Sequence, residues 1–186
     1  MLIGGIDEVG CGCLCGPVVA AITVFDLDKP PFDGIRDSKK MTAARRDAMF
    51  RRIYEQAVDV GVGFVSAYEI DRRNILQARM RDMLDALYMT SVRPEKLYID
   101  GTEKPHFIED GMKVIAMAKA DDKIWQVSAA SIVAKVVRDE HMRKLALEYP
   151  NYGWERNAGY GTPEHEQAIR KLGLTPEHRL TFCKKF

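Results

Sequence analysis

Carboxylates stand where apolar, strand-like runs give out. Asp7 and Glu8 follow LIGGI, Asp100 follows KLYI, and Asp121 with Asp122 follows KVIAMAKA. Strand ends of α/β sheets open onto the crevice where such folds hold ligands. Hard divalent cations take oxygen ligands, and Mg²⁺ keeps several waters while accepting a few carboxylates and substrate phosphate oxygens. Two such ions roughly 4 Å apart activate a water and stabilise a leaving oxygen in phosphodiester cleavage. Singly, an acid at a strand end is more often a turn or cap residue. Carboxylates gathered without basic partners repel one another, so a fold that collects them needs a cation. Asp7 and Glu8 are adjacent and on a regular strand face opposite sides, so both serve one site only where the strand ends.

The stretch GGIDEVGCGCLCGPVVAA, residues 4–21, offers three chemistries: a thiolate metal site, a phosphate-cradling loop, or the acidic edge of a catalytic centre. The thiolate reading is the weakest. Cys11, Cys13 and Cys15 have the spacing C-x-C-x-C with only Cys183 elsewhere, whereas zinc sites use C-x₂₋₄-C with a second pair of ligands. These thiols read as small reduced packing residues, and they lie near acids rather than cations, a poor setting for a reactive thiolate. The glycines allow tight turns and close approach to a ligand. No P-loop and no G-x-S-x-G elbow occurs. His106, His141, His165 and His178 lack ligand spacing and read as surface or capping residues.

Elements to position these groups follow from pattern. Strands are expected over 2–8 and 17–25, then over 58–64, where Val58, Val60, Val62 and Phe64 share one face. Two more are expected over 96–100 and 113–119, the second running out near Ala120-Asp121. Helices are expected over 42–57, over 66–89 behind a Ser66/Glu69 capping box, over 127–149, and from Thr162-Pro163 to Gly173. Residues 149–162 read as a loop rich in glycine, aromatic and basic residues. The pattern predicts an α/β fold, a mixed sheet flanked by helices. Without repeats or a convincing linker, the 186 residues read as one domain with a helical C-terminal segment over about 140–186.

Composition is that of a soluble globular protein, 46% apolar and 30% charged, with a net charge of +1. No apolar run reaches membrane-span length, and the start MLIGGIDE does not read as a signal peptide, so the expected location is cytoplasmic. Residues 36–52 hold seven basic side chains (Arg36, Lys39, Lys40, Arg45, Arg46, Arg51, Arg52) against Asp37 and Asp47. Such a block is either a solvated helix face or a footprint for phosphates.

GIDEVGCGCLCGPVVAA resembles the opening motif of type 2 ribonuclease H, G-[IV]-D-E-A-G-R-G-x-L-A-G-P-V-V-A-A. DSKK at 37–40, YIDG at 98–101, AKADDK at 118–123, SAASIVAKVVRDEH at 128–141, AGYGTPEH at 158–165 and HRLTF at 178–182 continue the resemblance in order. It implies a ribonuclease H-like mixed five-stranded sheet flanked by helices, with a helical C-terminal part. It implies a divalent-metal-dependent endoribonuclease, using two Mg²⁺ or Mn²⁺ ions. Its substrates would be RNA/DNA hybrids and single ribonucleotides in duplex DNA, cut to leave 5′-phosphate and 3′-hydroxyl ends. By motif, Asp7, Glu8, Asp100 and Asp121 are the metal-binding catalytic carboxylates, and Asp139 supports them from behind. Gly10, Cys11, Gly12, Lys39, Ser131, Lys135 and Tyr160 are the substrate-binding positions, Tyr160 packing on the sugar beside the scissile ribonucleotide. The family's habit also implies a monomer with no membrane partner.

The departure is Cys11, which stands where the family pattern has arginine; Cys15 likewise replaces alanine. Cysteine cannot make the bidentate, charge-assisted phosphate contact that arginine makes. A nucleic-acid-binding protein that has lost turnover with Cys11 is therefore the rival from another class. A DNA-cutting relative on the same fold is the rival among nucleases, and a redox- or zinc-sensing cysteine cluster is a third reading.

Overall fold

The computed structural model describes residues 1–29, 34–35, 41–105 and 111–186. Lys39, the DSKK segment and His106 lie outside these residues. Strands β1 (Leu2–Val9) and β2 (Val18–Asp26) come first, followed by helix α1 (Ala43–Gln56) and strand β3 (Asp59–Val65). Helices α2 (Ala67–Arg73) and α3 (Ile75–Tyr88) lead to β4 (Lys96–Asp100) and β5 (Lys113–Met117). Then come the short α4 (Ala120–Lys123), the long α5 (Trp125–Glu148), the short α6 (Trp154–Asn157) and α7 (Pro163–Leu172). The five strands form one mixed sheet in the order β3-β2-β1-β4-β5. β1 and β4 run parallel, as do β4 and β5, while β2 is antiparallel to both its neighbours.

Each face of the sheet carries its own core. Ala21 and Phe25 face α1 and α5, packing with Met49, Ile53, Ile132 and Val133. Ile6, Ile22, Leu97 and Ile99 face α3, packing with Met83, Ala86 and Leu87. A third cluster around Trp154, Met142 and Ile169 joins the C-terminal helices to the end of α5.

Three local features differ from the expectations above. The helix expected over 66–89 is broken at Asn74, whose φ of 75° ends α2 while its side chain accepts from the Gln77 amide to cap α3. Asparagine is among the few residues that tolerate this backbone region. On β3 Val60, Val62 and Phe64 share one face, where the two valines are half-buried, while Gly61, Gly63 and Val65 form the more deeply buried face. A Cβ at Gly63 would overlap the Asp82 carbonyl oxygen of α3, so the missing side chains let that helix lie directly on the sheet. Asp121 is not a strand-end residue: β5 stops at Met117, Lys119 turns the chain with φ 56°, and Asp121 falls in the first turn of α4. Residues 149–162 include the short helix α6.

An absent side chain also lets α5 reach the site. Gly5 on β1 leaves room for the Gln126-Val127 backbone, and the Thr23 hydroxyl donates to the Gln126 carbonyl at 2.8 Å. The first turns of α5 thus cross β1 at contact distance, carrying Ser131 towards Asp7.

Candidate active site

A cavity of about 390 Å³ opens at the end of the parallel pair β1–β4, lined by Asp7, Glu8, Val9, Arg46, Asp100, Asp121, Ser131, Ile132, Lys135 and Tyr160. The register explains the gathering. Ile6 pairs with Ile99, so Asp7 and Asp100 each stand one residue beyond a matched pair on adjacent parallel strands. Asp100 Oδ1 accepts the Ala120 amide at 2.7 Å, which ties the turn bearing Asp121 to the end of β4.

Asp7 and Glu8 do face opposite sides of the sheet, and both still line the cavity because it lies over the strand end. Asp7 looks towards α5: it accepts the Glu8 amide at 2.8 Å and a hydrogen bond from Ser131. It is only 6% exposed, and burial, followed by the charge of Glu8, pushes its carboxyl well above the ordinary range. Glu8 looks towards α3. Its Oε1 receives Arg79 Nη2 at 2.7 Å and the Cys11 thiol at 3.7 Å, while Oε2 is buried with no hydrogen-bond partner among the described residues. Burial raises its carboxyl too, with the Arg79 guanidinium opposing. One turn along α3, Asp82 is fully buried with no side-chain hydrogen bond to either oxygen among the described residues, and its carboxyl is likewise raised well up by burial, the Met83 amide opposing.

The expected substrate-side residues divide into two groups. Ser131, Lys135 and Tyr160 line the cavity. Lys135 donates to Asp139 at 2.8 Å and lies over the Tyr160 ring, so Asp139 reaches the cavity only through Lys135. Gly10, Cys11 and Gly12 flank the cavity rather than line it, with Cys11 touching it through Glu8. Burial and the neighbouring Glu8 push the Cys11 thiol up to about 12, leaving it a neutral donor. Arg46 and Arg79 were not singled out from the sequence. Arg46 belongs to the basic block, which was a signal; Arg79 has none, since a basic residue on a helix reads as solvated.

Two arginines hold the glycine loop from beneath. Arg138, fully buried, donates to the carbonyls of Pro17 and Ala158 at 2.8 Å and of Cys15 at 3.2 Å. Arg179, also fully buried, donates to Gly16 at 2.9 and 3.0 Å and to Cys11 at 3.0 Å. A Cβ at Gly10, where φ is 94°, would collide with Arg138.

His165 and His178 are core residues, not surface or capping ones, at 0% and 2% exposure. With Cys15 they bring potential metal ligands within 4.8 Å of one another. Their nitrogens are already committed, however. The Thr175 amide donates to His178 Nδ1 at 2.9 Å, so His178 carries its proton on Nε2 and points it at His165 Nε2, 3.2 Å away. That acceptor also receives Trp154 Nε1–H at 2.9 Å, and His165 Nδ1–H donates to the Tyr160 carbonyl at 2.9 Å. The cluster is a hydrogen-bond relay under the Tyr160 loop, and both rings must be neutral to maintain it. Burial, and for His178 the facing His165, lowers both, His178 to about 4. A histidine depressed in the folded state takes up its proton first in the unfolded chain, so this contribution to stability is whole above pH ~6.5 and fades towards pH 4. Melting curves at pH 7.5 and 5 are therefore expected to show a larger acid loss in the parent protein than in His178→Gln; equal losses would remove the relay from the account.

A protein-family model for ribonuclease HII matches residues 4–185. The chain belongs to the ribonuclease HII family. The ribonuclease HII of Thermosynechococcus vestitus is 48% identical over 182 residues, covering 97% of this chain and 83% of that protein. Ribonuclease H2 from Pyrococcus horikoshii superposes with a TM-score of 0.82 at 29% identity, covering 100% of this chain and 96% of that one. Bst-RNase HIII in complex with Mn²⁺ shares the fold at a TM-score of 0.76 and 21% identity, with 98% and 67% covered. The family's mixed five-stranded sheet with C-terminal helices is the architecture described above, and the chain is a ribonuclease H-type hydrolase with ribonuclease HII endonuclease activity. Among the described residues no helix is long and apolar enough to cross a membrane.

Proposed function

We propose that Asp7, Glu8, Asp100 and Asp121 hold two divalent ions, Mg²⁺ or Mn²⁺. With them this ribonuclease HII cuts the RNA strand of RNA/DNA hybrids and at single ribonucleotides embedded in duplex DNA, leaving 5′-phosphate and 3′-hydroxyl ends. The observation that carries the reading is the cavity at the β1–β4 end, where four carboxylates meet a lysine, a serine and an exposed tyrosine. The donors are all oxygens, as hard cations require, and the buried Glu8 Oε2 has no hydrogen-bond partner among the described residues. The Mn²⁺ bound by an RNase HIII of the same fold supports the same chemistry. Bound there, the ions supply a nucleophilic water and offset charge on the leaving oxygen.

The chain's own side chains do the rest. Ser131 and the Glu8 amide fix the orientation of Asp7, as groups behind metal-binding carboxylates commonly do. Lys135, steadied by Asp139, brings a point charge to a backbone phosphate, and Arg46 adds a guanidinium on the same wall. Tyr160, 40% exposed and anchored through its carbonyl by His165, offers its ring to a sugar. Discrimination of RNA from DNA rests on the 2′-hydroxyl at that point. No protein general base is required.

The test uses two labelled duplexes, one with a single ribonucleotide in DNA and one a continuous RNA/DNA hybrid, each with Mg²⁺, Mn²⁺ or chelator. Cleavage 5′ of the lone ribonucleotide with either ion, abolished by chelator, is the expected result. Cleavage of the continuous hybrid alone would remove recognition of the lone ribonucleotide's sugar from Tyr160. Binding without cleavage in every condition would overturn the catalytic reading.

A further inference from the structure

Arg79 is not required by the chemistry above, yet its guanidinium sits on one of the candidate ligands. It comes from α3, on the sheet face away from Ser131 and Lys135, and engages Glu8 Oε1 at 2.7 Å. The contact is one-sided. Among the described residues Glu8 Oε2 has no hydrogen-bond partner, and neither does the buried Nε of Arg79. Three residues further on, and so adjacent on the helix surface, Asp82 is fully buried beside the Met83 amide, with no side chain among the described residues hydrogen-bonded to either oxygen. Buried carboxyl oxygens with no hydrogen bond are rare in folded proteins and call for an explanation. A guanidinium with an unsatisfied donor lies beside two carboxyls that each have oxygens without a side-chain partner, while Arg79 is paired with only the one in the cavity.

We propose that Arg79 is a built-in counter-ion: it stands on Glu8 in place of a divalent cation, competes with that cation, and passes to Asp82 when displaced. Arg79 thereby sets how tightly the carboxylate cluster takes up metal before nucleic acid arrives. The inference rests on the reading that Glu8 is a metal ligand.

Two effects of Arg79 oppose each other, and their signs make the claim testable. As an orienting partner, Arg79 would strengthen metal binding, and its loss would weaken affinity about 10–100-fold. As a competing charge, it would weaken binding, and its loss would tighten affinity by about tenfold even with water-like screening. Glu8 is also steadied by the Cys11 thiol and by its place on a paired strand, so orientation does not depend on Arg79 alone. Competition is therefore the dominant effect.

The experiment is calorimetric titration of Mn²⁺ into metal-free protein without nucleic acid, for the parent chain, Arg79→Gln, Arg79→Lys, Asp82→Ala and Glu8→Gln. Circular-dichroism melts establish that each variant is folded. Expected are about tenfold tighter binding for Arg79→Gln, near-parental affinity for Arg79→Lys, and weaker binding for Asp82→Ala, which strips the displaced guanidinium of its second partner. Unchanged or weaker binding in Arg79→Gln, alongside a clear loss in Glu8→Gln, overturns the counter-ion role alone. Full Mn²⁺ affinity in Glu8→Gln overturns the placement of Glu8 in the metal centre and this proposal with it.

Discussion

Asp7→Asn is expected to melt higher than the parent protein in chelator and to cleave at least about 10³-fold more slowly with either ion. The two effects have one cause. Asp7 is a buried carboxylate beside Glu8 and Asp100, and burial and like charge both work against its ionised form. Asparagine keeps the size and the oxygen that accepts the Glu8 amide, and the Ser131 hydroxyl can turn to accept from the new amide. What disappears is a buried charge, so the metal-free fold gains; about 1 kcal/mol reads as about 2–4 °C at this chain length. The same charge is what a divalent cation held at Asp7 would need. Losing an anionic ligand removes several kcal/mol of transition-state stabilisation, and each 1.36 kcal/mol is about tenfold in rate. Melting curves in chelator and single-turnover cleavage of the one-ribonucleotide duplex check both halves. A variant that keeps more than about a tenth of the parent rate removes Asp7 from the catalytic set.

Arg138→Met carries the largest expected loss of stability, about 3–5 kcal/mol, or roughly 10 °C in melting temperature. Methionine preserves much of the apolar stem but leaves the carbonyls of Pro17, Ala158 and Cys15 without their donor in a buried setting. Each such carbonyl costs about 1–3 kcal/mol when stranded, less where water can enter. Arg138→Lys is expected to recover less than half of the loss, because one ammonium lacks the planar fork that reaches several carbonyls at once. Thermal and urea unfolding of the three proteins measure this directly. A loss below about 1 kcal/mol for the methionine variant would show that the loop does not depend on the guanidinium.

The acids were legible in the sequence for a physical reason. Asp7, Glu8 and Asp100 end strands whose apolar runs are unmistakable, and strand ends are where this class of sheet opens. Asp121 was found as a candidate but displaced by a few residues, because the turn at Lys119 has no glycine or proline to announce it. The register that sets Asp7 beside Asp100 could not be read, since it depends on which strands pair. On β3 the alternation shows which residues share a face but not which face takes the helix; that is the one where Gly61 and Gly63 admit α3. Arg79, Arg138, Arg179, His165 and His178 were invisible as interior groups. Charged and imidazole side chains are ordinarily exposed, and what buries them here is a set of carbonyls, carboxyls and ring nitrogens drawn from remote segments. Cys11 was read as an arginine lost to the loop; its thiol in fact donates to Glu8.

The most direct test is an anomalous-difference map from crystals of the protein soaked in Mn²⁺. Mn²⁺ is expected among Asp7, Glu8, Asp100 and Asp121, bound to Glu8 through Oε2, with Arg79 turned from Glu8 towards Asp82. Mn²⁺ bound elsewhere with these four side chains unliganded, at a concentration that supports cleavage, would contradict it.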